Sequence, residues 1–142
     1  MTLLNVGFTG TRQLLTEAQY HALWAVLVYL DPACCHHGDC VGADSYFHDL
    51  VVALDRNLII HPPEDPIFRA YCSTGHRIMY PTATYLERNR NIVDESDQMI
   101  ACPNSFHEEK RSGTWSTVRY ARRLGRIIYV VFPDGSVRQE GP

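Results

Sequence analysis

Apolar residues come in short blocks divided by polar turns, and the blocks alternate between two periods. Residues 3–8, 33–36, 57–60, 98–102 and 126–132 are apolar runs of strand length, bounded by Gly, Pro, Asn and Asp. Between them, apolar positions recur three and four apart, as at Tyr20, Leu23, Trp24, Leu27 and Leu30. This spacing predicts helices over 16–30, 43–54, 81–95 and 114–124. Thr16 is the expected N-cap of the first helix and Asp31-Pro32 its end, and Gly125 is the expected end of the last. The order β-α-β-α-β-loop-α-β-α-β predicts an α/β fold with a mainly parallel, five-stranded sheet covered on both faces. Residues 61–82, with Pro62, Pro63 and Pro66, fit no regular element and are assigned to a pocket or partner surface. A turn at Pro133-Asp134-Gly135 leads into a short hairpin tail. With no repeat or linker, residues 1–142 read as a single domain.

Three glycine-containing turns each follow an apolar run. They are Thr9-Gly10-Thr11-Arg12, the stretch from His37-Gly38-Asp39 to Gly42-Ala43-Asp44, and Ser112-Gly113-Thr114. In a parallel sheet all three fall at the carboxyl ends of strands, where ligands bind near a switch in strand order. Glycine admits a ligand close to the backbone, and a helix beginning there aims its N–H groups at an anion. The expectation is one shared pocket for a phosphate-bearing small molecule.

Composition narrows the classes. Of 142 residues 45% are apolar and 20% charged, and the net charge is −3. No global field draws such a chain to nucleic acid or to an acidic membrane. No apolar run is long enough to cross a bilayer, and no basic segment followed by an apolar one opens the chain, so a cytoplasmic protein without a signal peptide is expected. Five cysteines, at 34, 35, 40, 72 and 102, argue against a disulfide framework. The run from Cys34 to Cys40 lacks the distant second pair of a zinc site, so no metal and no resident cofactor is expected.

The turns carry different chemistry. Thr9-Gly10-Thr11-Arg12 supplies amides, two hydroxyls and a guanidinium suited to phosphate, or is a plain β-to-α turn with a surface arginine. Gly42 and Ala43 are small where a strand end meets a helix start. Asp44 either caps that helix or bonds a ribose hydroxyl. His36 and His37 either take part in acid–base chemistry or pack beside a strand end. Arg88 and Asn91 are assigned to the site edge and Ile92 to the core, against the alternative of a solvated charged face.

Gly10-Thr11-Arg12, His37-Gly38 through Gly42-Ala43-Asp44, Arg88-Asn89 (or Arg90-Asn91) and Gly113-Thr114 together resemble the SLOG superfamily, above all its small YspA/YpsA-like group. The superfamily also includes the DNA-processing protein DprA and the LOG phosphoribohydrolases. The resemblance covers roughly residues 3–132 and implies a Rossmann-like three-layer sandwich and homo-oligomers. In the LOG motif the catalytic glutamate falls on Thr117, which cannot act as a carboxylate, so Thr117 joins the ligand-binding set only.

The resulting reading is a protein that binds a phosphorylated nucleoside or nucleotide derivative, such as an ADP-ribose-like molecule, as sensor, sequestering protein or processing enzyme. The alternative is an N-glycosidase acting on nucleoside monophosphates, with Asp39, Asp44, Glu87 or Glu108 as its carboxylate. Single-stranded DNA binding, as in DprA, is a third class that the negative charge opposes.

Overall fold

The computed structural model describes residues 3–142. Its strands are β1 (Asn5–Gly10), β2 (Cys34–His37), β3 (Asn57–Ile60), β4 (Arg77–Met79), β5 (Gln98–Cys102), β6 (Ile127–Val131) and β7 (Val137–Glu140). Its helices are α1 (Glu17–Leu30), α2 (Ala43–Ala53), α3 (Tyr85–Asp94) and α4 (Gly113–Arg123). The sheet order is β4-β3-β2-β1-β5-β6-β7. From β1 the chain builds outward one way through β2, β3 and β4, then returns to add β5 beside β1. The switch point therefore lies between β1 and β5, which pair in parallel from Val6 opposite Gln98 to Gly10 opposite Cys102.

The sheet has seven strands rather than five. β7 pairs antiparallel with β6 across the turn at 133–135, as a hairpin tail should. β4 lies inside the proline-rich stretch, where the residue pattern predicts no strand. Its three residues are all exposed, so no apolar alternation marks it. Backbone pairing with β3 makes it a strand, Ile60 standing opposite Met79.

Helix ends follow local capping chemistry. The Thr16 hydroxyl accepts from the Gln19 amide at 3.0 Å, and Asp31 closes α1 in a left-handed conformation. α3 begins later than Pro81, because Thr84 is its cap and accepts from the Glu87 amide at 3.2 Å. Gly125 follows α4 with φ +71°.

Two cores flank the sheet. Val6 and Phe8 of β1 meet Leu23 and Leu27 of α1 and Phe47 and Val51 of α2 on one face. The Phe8 and Phe47 rings stack at 4.4 Å between centroids. On the other face Ile92 and Val93 of α3 join Trp115, Val118 and Ala121 of α4 against Met99 and Ile128. Each of the larger aliphatic or aromatic side chains contributes about 1.5–3 kcal/mol by leaving water. Together the two layers fix the strand ends from which the site is built. Among the described residues, no helix is long and apolar enough to cross a membrane.

Candidate functional site

At the carboxyl ends of β1 and β5 the sheet opens into a cleft of about 340 Å³, a volume suited to a small ligand. Thr9, Gly10, Thr11 and Arg12 line it from the first turn, and Ser112, Gly113 and Thr114 from the third. Gly38 and Asp44 reach it from the second turn, and Tyr85, Arg88 and Asn89 from α3. The three turns thus meet, as their placement at strand ends requires.

The third turn leaves its backbone open. The Ser112 hydroxyl caps α4 by accepting from the Trp115 amide at 3.3 Å. Gly113 and Thr114 occupy the first turn of α4, where N–H groups have no partner within the helix and the helix end is positive. Nothing stands within 4 Å of where a Gly113 side chain would project, so this backbone faces open space.

The second turn behaves otherwise. Its amides already have acceptors: Gly38 and Cys40 both donate to Asp44 Oδ2 at 3.1 Å, Asp39 donates to His37 Nδ1 at 3.0 Å, Val41 to the Phe68 carbonyl at 2.8 Å and Ala43 to the Thr11 carbonyl at 2.9 Å. The expectation that this turn offers its amides to a ligand is therefore corrected. The Asp44 carboxylate occupies the place an anion would take. Burial pushes the Asp44 carboxyl up to about 6, against the pull of the Arg88 guanidinium and these two amides. Gly42 has φ +90°, and a side chain there would strike the Arg12 carbonyl, so glycine is what lets the first two turns pack together.

Arg88 is buried and works largely as a brace. It donates from Nη1 to the carbonyls of Gly38 and His61, from Nε to Asn89 Oδ1 at 2.7 Å, and from Nη2 toward Cys40 Sγ. Any side chain on Gly38 would collide with that guanidinium. The more available cations are Arg12, which stacks 3.9 Å over the Phe68 ring, and Arg111 at the α4 end of the cleft. Both are exposed, and neither forms an ion pair among the described residues. The Tyr85 hydroxyl is buried in the wall and has no hydrogen-bond partner among the described residues. Glu109 also lines the cleft and accepts from the Ser105 hydroxyl at 2.9 Å.

Several expected site residues lie off the cleft lining. His37 is buried, with Nε2 on His48 Nδ1 at 2.9 Å. Asp39 is buried and holds the 61–82 stretch in place, bonding Arg69 Nε at 2.9 Å and the Cys72 amide at 2.9 Å. Ala43 is packed in the core. Thr117 donates to the Gly113 carbonyl at 3.0 Å inside α4. Asn91 is exposed and does not line the cleft, because the face toward the cleft runs through Tyr85, Arg88, Asn89 and Ile92. Tyr85 lies outside the charged motif that marks this helix in the sequence, although its spacing from Arg88 and Asn89 carries the signal.

No family profile matches the chain, and no curated protein matches it. Solved structures share its fold. The molybdenum cofactor binding protein from the phototrophic bacterium Rippkaea orientalis superimposes with TM-score 0.67 at 18% identity, over 93% of this chain and 78% of that one. TM1055, a structural-genomics target, gives TM-score 0.62 at 13% identity, over 88% and 72%. DNA processing protein A from Helicobacter pylori, described for its single-stranded DNA binding mode, gives 0.62 at 19% identity, over 91% and 65%. These likenesses establish a Rossmann-like α/β fold with a mostly parallel sheet.

Proposed function

We propose that the protein is a SLOG-like binder of a phosphorylated nucleoside or nucleotide derivative, with the phosphate held between the Gly10–Arg12 turn and the first turn of α4. The observation that carries this reading is the open N-terminus of α4 at the β1/β5 switch point, flanked by Arg12 and Arg111, neither of which forms an ion pair among the described residues. The remaining wall suits the nucleoside: the Tyr85 ring centre lies 5.6 Å from the Arg12 guanidinium, and its buried hydroxyl has no hydrogen-bond partner among the described residues. Incubation with AMP, ADP-ribose, NAD and molybdenum cofactor, each followed by a thermal melt and chromatography, tests it. A raised melting temperature with the ligand recovered intact supports binding. A shift only with single-stranded oligonucleotide would overturn it in favour of a DNA-binding role.

A second reading, N-glycosidic bond cleavage, rests on Glu109. This carboxylate borders the cleft, whereas Thr117, at the position of the LOG glutamate, points into its own helix. Release of free base from AMP, abolished in Glu109→Gln, supports the enzyme. AMP recovered whole after prolonged incubation contradicts it.

A further inference from the structure

A second constellation lies away from the cleft, on the sheet face that carries α3. His36 leaves β2 opposite Ile59 of β3, and His61 follows two residues after Ile59, so both histidines project from the same face. Glu95, at the C-cap of α3, comes down beside them. His36 Nδ1 and His61 Nε2 are 3.0 Å apart, and Glu95 Oε2 is 3.5 Å from His61 Nε2 and 4.0 Å from His36 Nδ1. Donor atoms around a tetrahedral zinc ion, each about 2.0–2.1 Å from the metal, stand about 3.3 Å from one another. The observed triangle brackets that spacing.

Neighbouring groups orient the donors, and the one proton a metal must displace is that of His61 Nε2, which donates to His36 Nδ1 at 3.0 Å. His36 Nε2 is 3.0 Å from Asn5 Oδ1, an oxygen that can only accept, so Nε2 carries the ring proton and Nδ1 keeps its lone pair. The Tyr80 hydroxyl donates to Glu95 Oε1 at 2.9 Å, which turns Oε2 toward the histidines. Oriented supports of this kind are how metal ligands are fixed.

His37, His48 and Cys72 also cluster, but there all four ring nitrogens are engaged in hydrogen bonds. His37 Nδ1 accepts from the Asp39 amide, its Nε2 donates to His48 Nδ1, and His48 Nε2 donates to the Thr74 carbonyl at 2.7 Å. A metal on His37 Nε2 would send that ring's proton to Nδ1 and so break the bond from the Asp39 amide as well, whereas at His36 and His61 it displaces the bond between the two rings.

We propose that His36, His61 and Glu95 bind one divalent transition-metal ion of the zinc type, with a fourth position open to solvent beside the half-exposed Glu95. Two buried nitrogens and one carboxylate suit borderline-soft ions over calcium or magnesium, which prefer all-oxygen shells. The separation of the three residues along the chain is why no spacing motif announces them.

The test uses tag-free, chelator-stripped full-length protein, titrated with Zn²⁺ against a chromogenic competitor and separately with Co²⁺. Wild type should bind about one equivalent, with the visible Co²⁺ absorption of a four-coordinate nitrogen–oxygen site. Glu95→Gln, at a half-exposed position that leaves the fold intact, should weaken Zn²⁺ by more than roughly tenfold, and Tyr80→Phe by roughly tenfold. Failure to bind stoichiometrically, or equal affinity in wild type and Glu95→Gln, would overturn the proposal. So would a cobalt–thiolate band that disappears in Cys72→Ser, since it puts the ion at the other cluster.

Discussion

Asp44 is the buried carboxyl among the charged residues that line the cleft. Its carboxylate closes the start of α2 from within, so the second turn is already neutralised before any ligand arrives. Because folding raises its pKa from 3.8 to about 6, the native state holds the Asp44 proton more tightly than the unfolded chain does. Its contribution to stability is complete below about pH 4 and is lost as pH rises through 6, on the order of 3 kcal/mol in all. In Asp44→Asn the side-chain carbonyl accepts from the same two amides and does not titrate. Urea unfolding at pH 4 and pH 7 should therefore show wild type losing stability relative to Asp44→Asn by this amount, whereas parallel pH curves would contradict the assignment. Gly42→Ala should destabilise by roughly 2 kcal/mol or more, through its φ of +90° and the Arg12 carbonyl. Tyr85→Phe separates binding from folding. Removing a buried hydroxyl that has no partner among the described residues should leave the melting temperature unchanged or higher, while nucleotide affinity falls roughly tenfold. A loss of stability with unchanged affinity would place Tyr85 in the scaffold.

At the scale of elements, the two caps make a controlled comparison. Ser112→Ala and Thr84→Ala each remove a hydroxyl that accepts from a first-turn amide, and each should cost about 1 kcal/mol. Only Ser112 lies at the proposed phosphate seat. Its loss should also weaken AMP binding in calorimetry, and the loss of Thr84 should not. The elements themselves are largely legible in the sequence, because the apolar runs and helical spacings are strongly periodic. β4 is not, since Arg77-Ile78-Met79 is exposed and owes its state to β3. The face of α3 is legible only in part: Arg88 and Ile92 fall where their spacing puts them, but the neighbour that turns to the cleft is Asn89 rather than Asn91. Sequence spacing fixes which residues share a face, and only packing fixes which face meets the cleft.

For the whole molecule, convergence of the three turns is readable from the βα alternation and the rule that ligands gather at a switch point. The division of labour among them is not. The sequence leaves Asp44 open as a cap or a ribose ligand; packing makes it close the second turn, so that the first and third face the cleft. The most direct test follows amide signals by heteronuclear NMR while AMP, and separately inorganic phosphate, is added. The account expects the largest saturable shifts at Arg12, Gly113 and Thr114, with the amides of 38–41 and Ala43 nearly still because their hydrogen bonds are already made. Large shifts confined to residues 38–43, or no saturable shift with either probe, would contradict it.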